Sequence, residues 1–252
     1  YGVGELIAHA LHQGCKKFII GLGGSGTSDA GRGMLRALTD IFAPHGTIDD
    51  VLTNHTAGCQ FTLASDVRNP LYGKEGAAFT FGPQKGATPE MVEELDRQAR
   101  LFADQSARHM GKDTSQQPGA GAAGGLGYAF MQYLSASVCS GADLLLNLIR
   151  FDELLKDTDL VITGEGHADS QTLMGKLPER VMRRAQKYQV PVWLVAGQTD
   201  DAEKLITAGF TRADKLTPEG LALHEAIKPE ITRQNIYLSL IHISEPTRPL
   251  YI

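Results

Sequence analysis

The chain has 252 residues, 42% of them apolar and 21% charged, with a formal net charge of -5. That balance is ordinary for a globular protein that buries a sizeable core, so it argues against disorder. It also argues against an extended basic face for nucleic acid, and no apolar run reaches the length of a bilayer span. The three cysteines, Cys15, Cys59 and Cys139, are far apart and form no CxxC pair. They read as reduced thiols of a cytoplasmic protein and not as a disulfide framework or zinc site.

In chain order, YGVGELIAHALHQG reads as an amphipathic helix with Leu6, Ile7, Ala10 and Leu11 on its apolar side and Gly14 as its stop. A helix this near Tyr1 with no preceding strand suggests that upstream structure is absent. Residues 16–20 read as a buried parallel strand, followed by the glycine-rich stretch GLGGSGTSDAG (21–31) and a helix over 30–38. Residues 61–64 form a second brief strand, then SDVRNPLYG makes a turn at Asn69-Pro70 and Gly73. Thr88-Pro89-Glu90 opens a long helix that carries Met91, Val92, Leu95, Ala99 and Phe102 and ends near Met110. Residues 111–118 read as a surface loop. GAGAAGGLGYAFMQYL begins with flexible glycines and becomes a helix, and SGADLLLNLIRFDELLKD is more helix. DLVITGEG is an apolar strand ending in glycines, LPERVMRRAQKYQ a helix, VPVWLVAG a buried strand and AEKLITAG a short helix. Alternating strands and helices predict an α/β fold with a mostly parallel sheet, whose ligands sit beyond the carboxyl ends of the strands. The strand tips at Gly21, Gly164 and Gly197 are therefore the places to look for chemistry. Trp193 is expected in the core.

At the first tip, Gly21, Gly23 and Gly26 satisfy GxGxxG between a strand and a helix, which is the dinucleotide spacing. The acid expected about twenty residues on has only Asp49 and Asp50 as candidates, and FAPHGTIDDVL is a poor strand. The loop's N–H groups and hydroxyls suit any anion, and a plain strand-to-helix turn would look the same. At the second tip, Glu165 and Asp169 lie close together with Lys176 shortly after. Two carboxylates and a lysine beyond a strand are parts of a phosphoryl-transfer site. The Walker A order is absent. Lys85 lies between glycines in FGPQKGAT, where a solvated role is the commoner one, and Asp66, Arg68 and Asn69 flank a turn. GAGAAGG (119–125) reads either as a phosphate nest or as a close-packed helix start. The eight histidines show no metal-ligand pairing on one helix, and only His167, beside Glu165, is of interest.

GLGGSGTSDAG, SDVRNPLYG, FGPQKGATPEM, PGAGAAGGLG and DLVITGEGHADSQTLMGKLPERV occur here in the order seen in the type-1 glycerate kinases, and the resemblance runs from Tyr1 to about Tyr237. It implies a two-domain α/β protein, one domain Rossmann-like, that phosphorylates D-glycerate with ATP and magnesium. Asp169, Glu165 and Lys176 become the expected catalytic group, with Glu165 and Asp169 holding Mg2+. Gly23, Gly24, Ser25, Thr27, Asp29, Asp66, Asn69, Lys85, Gly164, Gln171 and Thr172 become the expected substrate and phosphate contacts. Gly26, Ser28 and Ala30 stand where the family more usually has Ala, Asn and Gly. The family's opening strand, its Asp-Ser-x-Lys loop and its PDGGEG-like segment are not present, which implies an inactive fragment of a kinase. From Leu238 the string LSLIHISEPTRPLYI resembles a translated sequencing adapter, expected to pack poorly and to have no role; residues 238–243 also alternate as a strand would. Two other functions stay open on the residues alone: a nicotinamide-dependent oxidoreductase, and a non-catalytic nucleotide- or sugar-acid-binding protein.

Overall fold

The computed structural model describes residues 1–244, with side chains as far as Leu238. The chain forms two compact units, Tyr1–Gly141 and a second from Ala142 onward. Each unit is an α/β body with its own three-stranded parallel sheet.

The first unit runs α1 (Gly2–His12), β1 (Lys17–Gly21), α2 (Arg32–Phe42), α3 (Ile48–Asn54), β2 (Gln60–Ala64), α4 (Ala77–Phe81), α5 (Pro89–Met110), α6 (Ala122–Tyr133) and β3 (Ser137–Cys139). Its sheet order is β1-β2-β3. The core gathers Met34, Leu38, Phe61, Leu63, Tyr128 and Phe130, with Phe18 stacked on Phe61 at 4.7 Å. Each such side chain contributes about 1.5–3 kcal/mol by leaving water. Only part of the first strand matches the buried reading, because β1 lies at a sheet edge and leaves Ile19 exposed. On α1, Ile7 is buried but Leu6 is exposed.

Asp49 and Asp50 fall in the first turn of α3, where Asp50 completes a capping box with Thr47. That segment, a poor strand by its sequence, is indeed no strand but a helix start favoured by acidic side chains. The expected start of the long helix holds: the Thr88 hydroxyl accepts from the Met91 N–H, Pro89 occupies the first turn, and left-handed Gly111 ends α5. Residues 111–118 are not all surface. Thr114 and Ser115 are buried, because the Gln132 side chain reaches back to Thr114 and the Lys112 carbonyl.

The GAGAAGG stretch is close-packed and not flexible. Gly124 has φ +67°, and a Cβ there would lie 2.0 Å from the Thr27 carbonyl oxygen. The Gly124 carbonyl accepts from the Ala30 N–H at 3.0 Å. Only glycine allows this approach, which clamps the 21–31 stretch against the start of α6.

The second unit comprises α7 (Gly141–Leu148), α8 (Phe151–Leu154), β4 (Val161–Ala168), α9 (Leu177–Lys187), β5 (Val192–Thr199), α10 (Ala202–Ala208), β6 (Arg212–Lys215), α11 (Leu223–Ala226) and α12 (Pro229–Ser244). The helix expected over SGADLLLNLIRFDELLKD is broken at Arg150, whose φ is 55°. The sheet order is β4-β5-β6. Neither sheet shows the reversal of strand order that defines a doubly wound Rossmann sheet among the described residues.

β4 and β5 overrun the expected tips, so Gly164 and Gly197 lie inside strands. Pairing continues to Ala168↔Thr199, and a Cβ at Gly197 would lie 2.7 Å from the Gly166 carbonyl, an approach open only to glycine. Trp193 is core, as expected, with its indole N–H donating to Asp214 Oδ2 at 2.8 Å. Residues 238–243 belong to α12 and not to a strand. The remainder of the adapter-like string, 245–252, lies outside the described residues.

Candidate active site

In the first unit, the glycine loop leaves β1 on the carboxyl side of the sheet. Asp29 turns its carboxylate onto the start of α2: Oδ1 accepts from the Gly31 N–H at 3.0 Å and Oδ2 from the Gly33 N–H at 2.8 Å. The backbone N–H groups of Gly23, Gly24, Ser25, Gly26 and Thr27 donate to no atom among the described residues. Lys85, at the end of a short 3-10 turn after α4, reaches this loop. Its Nζ donates to Ser25 Oγ at 2.8 Å and to the Thr27 carbonyl at 2.9 Å. The solvated reading of Lys85 therefore fails. The side chain is half-buried, and burial pushes its ammonium below the ordinary lysine pKa. Gly23, Gly24, Ser25, Lys85 and Gly124 line a cavity of about 430 Å³. Free N–H groups and one cation around a cavity are an arrangement for a small anion.

Asn69 is used elsewhere, its amide donating to the Glu75 carbonyl at 2.7 Å and to Thr80 Oγ1 at 3.2 Å. Asp66 is exposed two residues past the end of β2.

In the second unit, the carboxylates meet as the spacing suggests. Glu165 lies on β4, whereas Asp169 follows its end and caps a 3-10 turn over Ser170–Leu173. Asp169 Oδ1 accepts from the backbone N–H groups of Gln171 (2.8 Å) and Thr172 (3.2 Å). Thr172 is fully buried. Its hydroxyl donates to Glu165 Oε1 at 2.5 Å and accepts from the Asp169 N–H at 3.0 Å. Lys176 Nζ stands 3.6 Å from Glu165 Oε2 and 3.8 Å from Asp169 Oδ1. Glu165 is the more desolvated acid, its side chain 15% exposed against 26% for Asp169. Gly164 is strand floor, and the Gln171 side chain is exposed.

Each carboxylate keeps one oxygen, Glu165 Oε2 and Asp169 Oδ2, that takes no N–H or O–H hydrogen bond among the described residues. Hard carboxylate oxygens of this kind suit Mg2+, which keeps most of its ligands as water and phosphate. His167 and Asp200 stand beside this pair. His167 Nε2 lies 2.8 Å from Asp200 Oδ1, and ligand atoms of His167, Asp169 and Asp200 all lie within 4.8 Å of one another. Asp200 was not singled out by the sequence reading, although it directly follows β5, which pairs with β4. An acid just past the adjacent parallel strand was the available signal.

The family model described as the glycerate kinase family matches residues 1–238. The chain belongs to the glycerate kinase family. It is 38% identical over 244 residues to a glycerate kinase of Bacillus subtilis (strain 168), covering 90% of this chain and 64% of that protein. It is 42% identical over 217 residues to a glycerate 2-kinase of Escherichia coli (strain K12), covering 79% of this chain and 57% of that protein. A crystal structure of a protein assigned as glycerate kinase 2 of Salmonella typhimurium LT2 matches with TM-score 0.73 at 36% identity, covering 97% of this chain and 69% of that one. The chain thus spans less than two thirds of the length of the Bacillus subtilis and Escherichia coli family members. Neither alternative function is favoured by these relatives. The oxidoreductase reading also loses its ribose-binding acid, since Asp49 and Asp50 belong to a capped helix start.

Proposed function

We propose that the protein represented by this chain transfers the γ-phosphoryl group of ATP to a hydroxyl of D-glycerate. The observation that carries this reading is the Glu165–Thr172–Asp169 hydrogen-bond chain faced by Lys176. In the reaction the bond from the terminal phosphorus to its bridging oxygen breaks, a new P–O bond forms to the glycerate hydroxyl, and that hydroxyl loses its proton. Such a transfer asks the protein for positioning and charge compensation. Asp169, held by three hydrogen bonds that use its backbone N–H and one oxygen, keeps the other oxygen to orient the attacking hydroxyl and accept its proton. Glu165, fixed by Thr172, presents Oε2. Lys176 supplies positive charge toward phosphate. Glu165 Oε2 would hold Mg2+, which would supply further neutralisation of phosphate charge. Lys85 and the free N–H groups of 23–27 receive an anionic group, phosphate or the glycerate carboxylate. Small-molecule substrates, and no nucleic acid or membrane, are the partners this reading requires. Among the described residues no helix is long and apolar enough to cross a membrane. Cys15, Cys59 and Cys139 are reduced cysteines, which accords with the cytoplasmic location that is part of the proposal.

The test is a coupled ADP-release assay, run on this chain and on a form extended to the length of its relatives, with and without D-glycerate and Mg2+. From the extended form, ADP that appears only when both are present is the expected result, and the product then shows whether the 2- or the 3-hydroxyl was phosphorylated. A folded, extended protein that binds glycerate and ATP without turnover would establish the binding-protein alternative instead.

A further inference from the structure

The second unit holds a cavity of about 670 Å³ beside the carboxylate–lysine group. It lies at the carboxyl ends of β4, β5 and β6, under α11 and α12, where ligands of parallel sheets usually sit. Its floor is strand backbone, because Gly164, Gly166 and Gly197 bring no side chains. A Cβ at Gly166 would meet nothing within 4 Å, so open space stands over that strand. The walls are apolar. Leu223 and Ile227, one helical turn apart, line the cavity with 70% and 67% of their surface exposed. The amide side chains of Gln198 and Asn235 also line it and make no hydrogen bond among the described residues. Glu165 belongs to this wall as well as to the Thr172–Lys176 group.

We propose that this cavity takes the nucleoside of the phosphoryl donor, with its phosphates running past Glu165 toward Lys176. The inference rests on the kinase reading and assigns one substrate to one place. Glycerate is a three-carbon acid with an oxygen on every carbon, so it gains nothing from apolar walls and fills little of such a volume. A purine nucleoside is flat, largely apolar on its faces and polar at its edges. A bare strand floor, uncovered aliphatic side chains and two free amides match those three properties. The volume lies within the range of cofactor sites.

The test is calorimetric binding of ADP, adenosine and tripolyphosphate to the 252-residue chain, with and without the double substitution Leu223→Ser/Ile227→Ser. Both side chains are mainly exposed, so the substitutions leave the core intact. ADP and adenosine should bind about tenfold more weakly, or worse, to the variant. Tripolyphosphate, which has no nucleoside, should bind equally to both. Unchanged ADP affinity, or an equal loss for tripolyphosphate, overturns the assignment. A second variant, Gln198→Ala/Asn235→Ala, should erase most of the preference for ADP over CDP, and retention of that preference counts against the amides as base readers. If the extended protein shows glycerate-dependent ADP release while ADP affinity ignores Leu223 and Ile227, the placement falls and the kinase stands. If the extended protein neither binds ADP nor turns over, both fall.

Discussion

Replacing Thr172 by Val tests the hydrogen-bond chain at its hub. The two side chains have nearly the same shape, so the buried position keeps its packing and loses only the hydroxyl. That hydroxyl makes a charge-assisted bond of 2.5 Å to Glu165 and accepts the Asp169 N–H at 3.0 Å. A hydrogen bond to a charged partner contributes about 1.5–3 kcal/mol, and an orphaned N–H costs about 1 kcal/mol more. Lys176, 3.6 Å from the same carboxylate, offsets part of the loss. The expected cost to the second unit is therefore about 2–4 kcal/mol. Trp193, the sole tryptophan, lies buried on β5 and reports that unit alone in a fluorescence-detected urea titration. With a slope of about 2 kcal/mol per molar urea, the midpoint should fall by about 1–2 M. Thr172→Ser keeps the hydroxyl and should lose markedly less. An unchanged midpoint for Thr172→Val, or an equal fall for Thr172→Ser, refutes the reasoning. In an extended, active form the same Val substitution should lower turnover about 10–100-fold, because Glu165 loses the group that orients it.

Asp169→Asn retains an oxygen able to accept from Gln171 and Thr172, so the Trp193-detected midpoint should barely move while turnover of the extended enzyme falls by about 10²–10⁴; near-normal turnover removes Asp169 from the chemistry. Lys85→Met should weaken phosphate or glycerate binding about tenfold and flatten its pH dependence, measured by titration across a pH series. Burial lowers the Lys85 pKa, so the native site should lose anion affinity at a lower pH than an ordinary lysine would. Between the folded and unfolded pKa values the unfolded chain holds more protons, so this group's contribution to stability rises with pH there. Gly124→Ala, at φ +67° and with its Cβ 2.0 Å from the Thr27 oxygen, should cost at least about 2 kcal/mol in circular-dichroism melts. Gly26→Ala, with nothing within 4 Å and no left-handed backbone, should stay within about 1 kcal/mol of the parent.

The legible parts of the fold were those with a local cause. The apolar run before Gly21 and the Thr88-Pro89 helix start each carry their chemistry within a few residues, and both appear nearly where expected. β3 and β6 escaped notice because three and four residues show no period. β6 even carries Arg212 and Asp214, whose place becomes intelligible only beside Trp193: the guanidinium covers the indole ring at 4.8 Å, and the carboxylate accepts the indole N–H. The same division runs through the site. Glu165, Asp169 and Lys176 could be read because carboxylates and a lysine near a strand end announce themselves. The contact between Lys85 and Ser25 spans 60 residues of sequence, and no local pattern contains it. Thr172 was visible as a polar residue, but its hub position follows from complete burial between two acids.

The GxGxxG spacing points one way and the structure another, and Asp29 shows why. In a dinucleotide loop the pyrophosphate sits on the helix N-terminus, drawn by free N–H groups and the positive end of the helix dipole. Here Asp29 already occupies that place, with one carboxylate oxygen on the Gly31 N–H and the other on the Gly33 N–H. A phosphate brought to the same turn would find its donors taken and a negative charge in front of it. What remains free lies earlier in the loop, in the N–H groups of residues 23–27, and the positive charge there comes from Lys85. Gly124 holds this arrangement in place through its contact with Thr27 and its bond to Ala30. The loop is thereby shaped for a compact anion held by main-chain donors and one lysine, a different use of the same glycine spacing.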